Sequence, residues 1–311
     1  MELSVGGLRV ASALARFVPP GIGRDLTDRI GRLAAGRSED QRRIVEANLR
    51  RVDEWSGATY DDDEMGRRVE QVFEHYANYW LESLRLPHVS LDEVDRRFSY
   101  EGLEHVVTPA REGRSVVMAL PHLGGWEWAG RWLMQVQGLP LAVAVERLEP
   151  PELYEWFLRY RRDELGMQVV PVGGGAAAAL GGALLSGATL ALLCDRDVTG
   201  DGVEVEFFGA PTRLPGGPAL LALRAERPLV PVGVFVQDGH HHAVLLPPLD
   251  TERRGRLRAD VQRVTQDLAH ALEQLIARDP VQWHMLAPAW PDLDPAGGDG
   301  IADAGAPGGH G

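Results

Sequence analysis

The 311-residue chain contains no lysine, so all 32 of its basic residues are arginines. Any anion it grips must therefore be held by forked guanidinium groups or by backbone amides, not by a mobile ammonium. The single cysteine, Cys194, excludes an intramolecular disulfide and a cysteine-built zinc cage. It ends the apolar run ATLALLC, where a buried, inert thiol is expected. No window reaches the roughly 18–20 consecutive apolar residues of a membrane-spanning helix. Residues 1–23 do not read as a signal peptide, because Glu2 precedes any arginine and Arg9 and Arg16 break the apolar run. The expectation is a cytoplasmic protein that can touch a membrane without crossing it. A net charge of −13 lacks the basic footprint that nucleic-acid binding needs. The G-x-S-x-G elbow is missing too, which leaves a serine-hydrolase reading without support.

What is present is an ordinary globular composition, 44% apolar and 25% charged. Residues 1–98 read as a helical region packed on the rest of the chain. Leu8, Ala11, Ala15 and Val18, then Leu26, Ile30 and Leu33, recur at helical spacing, with Pro19 and Pro20 between two short helices. Arginines beside these apolar faces suit an anionic membrane surface, although a hairpin with its arginines in water fits the same pattern. Helices follow at Gln41–Val52 and Met65–Leu86, the second carrying Phe73, Tyr76, Tyr79 and Trp80 as a stripe expected to be core.

From residue 99 strands and helices alternate. Candidate strands are Ser115–Leu120, Pro140–Val145, Gln168–Val172, Thr189–Cys194, Leu229–Val236 and His242–Leu246. Helices are expected at Trp126–Val136, Glu152–Leu165, Ala176–Leu185, Gly217–Arg224 and Arg256–Arg278. This predicts an α/β fold over 99–291, a mostly parallel central sheet flanked by helices. Asp238–Gly239 marks one antiparallel hairpin. Residues 292–311 bury almost nothing and read as a disordered tail.

The stretch SVVMALPHLGGWEWAGRWL, residues 115–133, organises the chain. A buried strand leads to His122, a glycine pair, and Glu127 at the mouth of a helix. A histidine leaving a strand near a carboxylate can serve as a general base, and a polar turn between core elements is the plainer reading of the same spacing. Elsewhere His240–His242 follow a turn and are expected to be solvated, because consecutive strand residues point to opposite faces and cannot chelate together. His75, His88, His105 and His270 lack metal-ligand spacing, and His284 is expected to pack. No metal site is expected. Gly173–Gly175 with Ala178, and Asp195 twenty residues after Gly175, outline a dinucleotide-binding unit, so an oxidoreductase is an alternative. In CDRDVTGDGVEVEFFGAPTRLPGGPALLA, residues 194–222, Glu204 and Glu206 share one face, and Arg213 beside a turn into a helix suggests an anion site.

Taken together, PHLGGWE, CDRD, VEVEFFGAPTRLPGGPA and QWHMLAPAWPD resemble the lipid A biosynthesis acyltransferase-type branch of the glycerolipid acyltransferases. Within that branch the chain is similar to the actinobacterial phosphatidylinositol mannoside acyltransferases. The resemblance spans residues 1–291. It implies that His122 takes a proton from an acceptor hydroxyl, which then attacks an acyl-CoA thioester, and that Glu127, where the family carries aspartate, steadies the imidazole. Glu204 is implied as the second carboxylate near His122, ahead of Glu206. Arg196 and Arg213, with Arg161 and Arg162 behind them, are expected to bind coenzyme A phosphates, and Trp126 to line the acyl site. Acyl-CoA would be a co-substrate, with no other cofactor. The acceptor would be a mannosylated phosphatidylinositol or similar glycolipid at the cytoplasmic face of the membrane, met peripherally. A non-catalytic lipid-binding protein on the same fold remains an alternative.

Overall fold

The computed structural model describes residues 20–37, 39–146 and 151–293. The first expected amphipathic helix, with Arg9 and Arg16, lies outside the described residues, as do residues 294–311 of the expected tail; Asp292 and Leu293 belong instead to a short 3-10 turn, held by an Arg51–Asp292 ion pair at 2.6 Å.

The described residues open with three long helices, α1 (Pro20–Arg37), α2 (Glu39–Ser56) and α3 (Asp62–Arg85). Helix α3 starts three residues before the expected Met65, because Asp61 and Glu64 form a capping box, each side chain accepting the other's backbone N–H. Its residues Met65, Val69, Val72 and Phe73 pack with Val45 and Leu49 of α2, the spacing that places them on one face.

The remaining chain alternates β1 (Phe98–Glu101), β2 (Val117–Leu120), β3 (Leu141–Val145), β4 (Gln168–Pro171), β5 (Thr189–Leu193), β6 (Val203–Phe207), β7 (Ala210–Leu214), β8 (Leu229–Gln237) and β9 (His240–Leu245) with helices. The helices are α4 (Leu91–Arg96), α5 (Glu104–Arg111), α6 (Trp126–Arg131), α7 (Pro151–Arg159), α8 (Ala176–Leu185), α9 (Gly217–Ala225) and α10 (Leu257–Ile276). Among the described residues, seven strands form one sheet in the order β1-β9-β8-β2-β5-β3-β4, and β6 and β7 form a separate hairpin. Only β8–β9 is antiparallel in the large sheet, as Asp238–Gly239 indicated. The α/β architecture with an N-terminal helical region is the expected one.

Strand β2 is central and wholly buried, which is why it reads as an unbroken apolar run. Val117 and Ala119 face one side, packed with Leu229, Leu272 and Leu275, while Met118 and Leu120 face the other, beneath α6. The sequence reading missed β1, a four-residue edge strand with three exposed positions and too short an alternation to register. Helices α6 and α7 are also shorter than expected, each relaxing into a π turn, at Trp132–Val136 and Tyr160–Glu164. The histidine triplet is not a solvated turn. It lies on β9, where pleating leaves His240 exposed and buries His241 against Trp128, ring centroids 4.3 Å apart.

Candidate active site

Neighbouring parallel strands β2 and β5 deliver the two central side chains from their carboxyl ends. The pairing runs past both strands, since Cys194 N–H donates to Leu120 O, so the next residues out, His122 and Asp195, emerge side by side. This is also where connections diverge: β2 has β5 on one side and β8 on the other. Carboxyl strand ends at such a divergence are where open α/β sheets place ligands.

Asp195 grips the histidine twice. Its Oδ1 lies 2.6 Å from His122 Nδ1, and its Oδ2 accepts the His122 backbone N–H at 2.8 Å. The same Oδ2 accepts Trp283 Nε1–H at 2.7 Å. Burial pushes the Asp195 carboxyl up, but attraction to His122 and the hydrogen bonds from His122 and Trp283 outweigh it and hold it below the ordinary aspartate range. An ionised Asp195 only accepts, so the ring proton belongs on Nδ1 and the free lone pair on Nε2. The Asp195 side chain is fully buried while that of His122 is 28% exposed: a sealed carboxylate behind a ring that reaches the cleft.

The glycine pair makes this turn possible. Gly124 has φ +59°, and a Cβ there would stand 2.0 Å from Val234 O. A Cβ on Gly125 would meet His241 Nδ1 at 2.3 Å. No larger residue fits either place without moving β8 or β9. The C-terminal segment closes the loop: Leu123 bridges Trp283, Gly124 N–H donates to Gln282 O, and His284 N–H donates to His122 O at 2.8 Å. His284 packs as expected, among Tyr76, Tyr79 and Trp126. Burial holds its imidazole neutral, well below the ordinary histidine range.

The two glutamates expected beside His122 have other partners. Glu127 is buried and receives Arg161 Nε–H at 3.0 Å and the Tyr79 hydroxyl at 3.4 Å. It opens α6, whose first turn directs it at the π turn after α7 and at α3, and not back at the imidazole. Glu204 lies on the outer face of the β6–β7 hairpin, paired with Arg213 at 2.8 Å, and Glu206 shares that exposed face. Val205 and Phe207 take the inward positions, as period-two alternation requires. The carboxylate on the imidazole is Asp195, which the sequence reading had noted only as a strand-end acid of a dinucleotide unit. That unit loses its acidic residue here, because Asp195 is sealed behind His122.

The arginines separate in the same way. Arg196 reaches Glu146 at 2.6 Å and stays partly exposed, whereas Arg162 pairs with the adjacent Asp163 in solvent. Arg161 is buried. Burial alone would lower its pKa, but Glu127 raises it, so it stays charged. Among the described residues, no three His, Cys, Asp or Glu side chains gather as a metal site.

Beside the dyad an apolar cavity opens between α6 and the sheet. Trp126, Glu127 and Arg161 line it on the helical side, and Met118, Leu120, Ala191 and Leu193 form its sheet wall. Trp126 links cavity and dyad, its ring edge-on to His122 at 5.6 Å and stacked on Tyr79 at 4.2 Å. The lining is almost wholly apolar and suits a hydrocarbon.

The sequence profile of the bacterial lipid A biosynthesis acyltransferases matches residues 7–291. The chain belongs to this family. A phosphatidylinositol mannoside acyltransferase of Mycolicibacterium smegmatis is 35% identical over 282 residues, 89% of this chain and 88% of that protein. One of Mycobacterium tuberculosis is 39% identical over 222 residues, 70% and 68% of the two chains. The matched span takes in β2, β5, the β6–β7 hairpin and the Trp283 segment, so the whole dyad and its supports lie inside the acyltransferase region. Among the described residues, no helix of this acyltransferase is long and apolar enough to cross a membrane.

Proposed function

We propose that this acyltransferase moves a long-chain acyl group from acyl-CoA to a mannose hydroxyl of a phosphatidylinositol mannoside. The observation that carries the reading is the His122–Asp195 pair beside a hydrocarbon-lined cavity, joined through Trp126, which lines the cavity and sets its ring edge-on to His122. In the cavity an acyl chain would present its thioester carbonyl beside His122. Nε2 takes the proton from the acceptor hydroxyl as the oxygen forms its bond to the carbonyl carbon. The imidazolium is stabilised by Asp195. Collapse of the tetrahedral intermediate breaks the C–S bond, and coenzyme A leaves as the thiol after receiving the proton. A positioned base of this kind contributes about 10²–10⁴-fold. The acceptor class rests on the names of the two mycobacterial relatives.

Arg196, half exposed at the same strand ends, is the cation we assign to the phosphates of coenzyme A, with Arg213 on the neighbouring hairpin. Arg161 belongs to the cavity wall. We place the protein peripherally on the cytoplasmic face of the membrane. Ile30 and Leu33 of α1, 38% and 57% exposed, support that docking. The test is transfer of labelled palmitate from palmitoyl-CoA to mannosylated phosphatidylinositol by purified protein. Product should form with wild type and fall by about 10²-fold or more with His122→Ala. Absence of product from wild type overturns the assignment, and a nicotinamide cofactor that raises Tm where acyl-CoA does not returns the oxidoreductase reading.

A further inference from the structure

The chain from Trp283 to Trp290 runs irregularly between two 3-10 turns, Pro280–Gln282 and Pro291–Leu293. Backbone groups buried in such a segment must find partners outside a ladder. Two buried side-chain amides supply them, one on each side of the residues that touch the dyad. Gln282 pairs as a strand residue would: its Oε1 accepts Val236 N–H at 2.7 Å, and its Nε2 donates to Val236 O at 3.0 Å. Asn48, 2% exposed on α2, takes the other side. Its Nδ2 donates to Met285 O at 3.1 Å and to Ala287 O at 2.9 Å, while its Oδ1 accepts Ala289 N–H at 3.2 Å. The reverse amide orientation would set Oδ1 against two carbonyl oxygens, so this orientation alone satisfies all three contacts.

Between the two amides lie Trp283 and His284, whose N–H groups hold the Asp195 carboxylate and the His122 carbonyl. The segment is wedged between two cores. Trp283 and Met285 enter the one on the Ala119 side of the sheet, and Val281 and Leu286 enter the one that joins α2 to α3. We propose that Asn48 is a positioning residue for acyl transfer, which fixes Met285 and Ala287 and thereby sets Trp283 and His284 against the His122–Asp195 pair. Its effect on the rate rests on the reading of His122 as the base. An apolar residue would serve the packing of α2 and has the better helix propensity. What calls for an amide at this place is the set of three backbone groups it satisfies. The N-terminal helical region thus reaches the dyad through one side chain, 2% exposed and more than 70 residues before His122 in the chain.

The test compares Asn48→Ala with Val45→Ala in the full chain, well below the Tm of either variant, with palmitoyl-CoA and mannosylated phosphatidylinositol. Val45 is a buried α2 residue that packs on α3, so its truncation should lower Tm and leave kcat and KM near wild type. Asn48→Ala should lower kcat by about 10-fold or more, toward the roughly 10²-fold cost of an Å-scale misplacement, with KM for palmitoyl-CoA unchanged. Combined with Trp283→Phe it should lose little beyond the larger single loss, because both variants cut one chain of contacts. If Asn48→Ala does not fold, Asn48→Ser, which keeps a hydroxyl for one carbonyl, carries the same comparison. Proton NMR gives a readout apart from activity. The Nδ1 proton between His122 and Asp195, assigned by its loss in His122→Ala, should shift or broaden in Asn48→Ala and stay in place in Val45→Ala. Equal kcat losses in the two α2 variants, or losses that multiply in the double variant, overturn the positioning role. A wild type inert toward acyl-CoA overturns the reading beneath it, and the Nδ1 proton then decides for Asn48: a resonance that Asn48→Ala leaves unmoved overturns its hold on the pair.

Discussion

Asp195 holds His122 by both its ring and its backbone, at 2.6 Å and 2.8 Å. One buried carboxylate thus fixes the ring's rotation, its tautomer and the position of the peptide that carries it.

That double grip separates Asp195 from Glu127 in a measurable way. Asp195→Asn keeps the shape but offers Nδ1 an ambiguous amide, so transfer should fall by about 10²-fold or more while Tm changes little. Glu127→Ala should behave oppositely. It strands the buried Arg161 charge, a loss of about 3–5 kcal/mol for a broken buried pair, visible as a lower urea midpoint. Equal activity losses in the two variants, with stability unchanged in both, would contradict this division of roles.

Trp283 tests the next layer. Its indole N–H donates to the Asp195 oxygen that also holds the His122 backbone. Trp283→Phe removes one donor from a sealed carboxylate, at a cost of about 1–3 kcal/mol. With less to stabilise the ionised form, the Asp195 pKa should rise, and the acid limb of the kcat/KM profile should move to higher pH. A stability loss without any movement of that limb would mean that Trp283 only packs.

The dyad shows what a sequence can and cannot convey. His122 was legible because it follows an apolar strand and precedes two glycines, all local features. Its partner was not, because the contact joins residues 73 positions apart and depends on β2 and β5 being neighbours. Strand order across a parallel sheet is not written in periodicity, and Glu127, nearer in sequence, was the obvious local candidate. Glu204 was misplaced for a similar reason. Alternation showed that it shares a face with Glu206 but could not say whether that face met the cleft or water. His241 shows the reverse case, where alternation was read correctly but the buried face of β9 was not foreseen.

The turn at Gly124 should be intolerant of any side chain. Gly124→Ala places a Cβ on Val234 O and forces an L-residue to a φ of +59°. Strain and collision together should exceed the roughly 1 kcal/mol of an ordinary glycine replacement. We expect a drop in Tm and a loss of transfer, because the loop that shifts carries His122. A variant with wild-type Tm and rate would show that β8 yields freely there.

Acid should weaken the fold through a second buried cluster. Glu82 receives Arg97 at 2.8 Å, and the Arg97 guanidinium lies over Trp128, which stacks on His241. Arg85, at 3.6 Å, and His241, at 3.9 Å, also face the carboxylate. Burial pushes Glu82 up, but hydrogen bonds and charge from His241 and Arg97 bring it down to about 2. Burial also lowers the His241 pKa, so near neutral pH that ring carries little charge and Arg97 is the fixed cation in the pair. Between an unfolded value near 4.5 and a folded value of about 2, the unfolded chain binds more protons, so stability falls as pH falls. The contribution is present in full above about pH 5 and is on the order of 3 kcal/mol. Urea unfolding of wild type and Glu82→Gln at pH 7 and near pH 3 measures it. The gap between the two proteins should shrink on acidification, whereas curves that descend in parallel would place the acid sensitivity in other carboxylates.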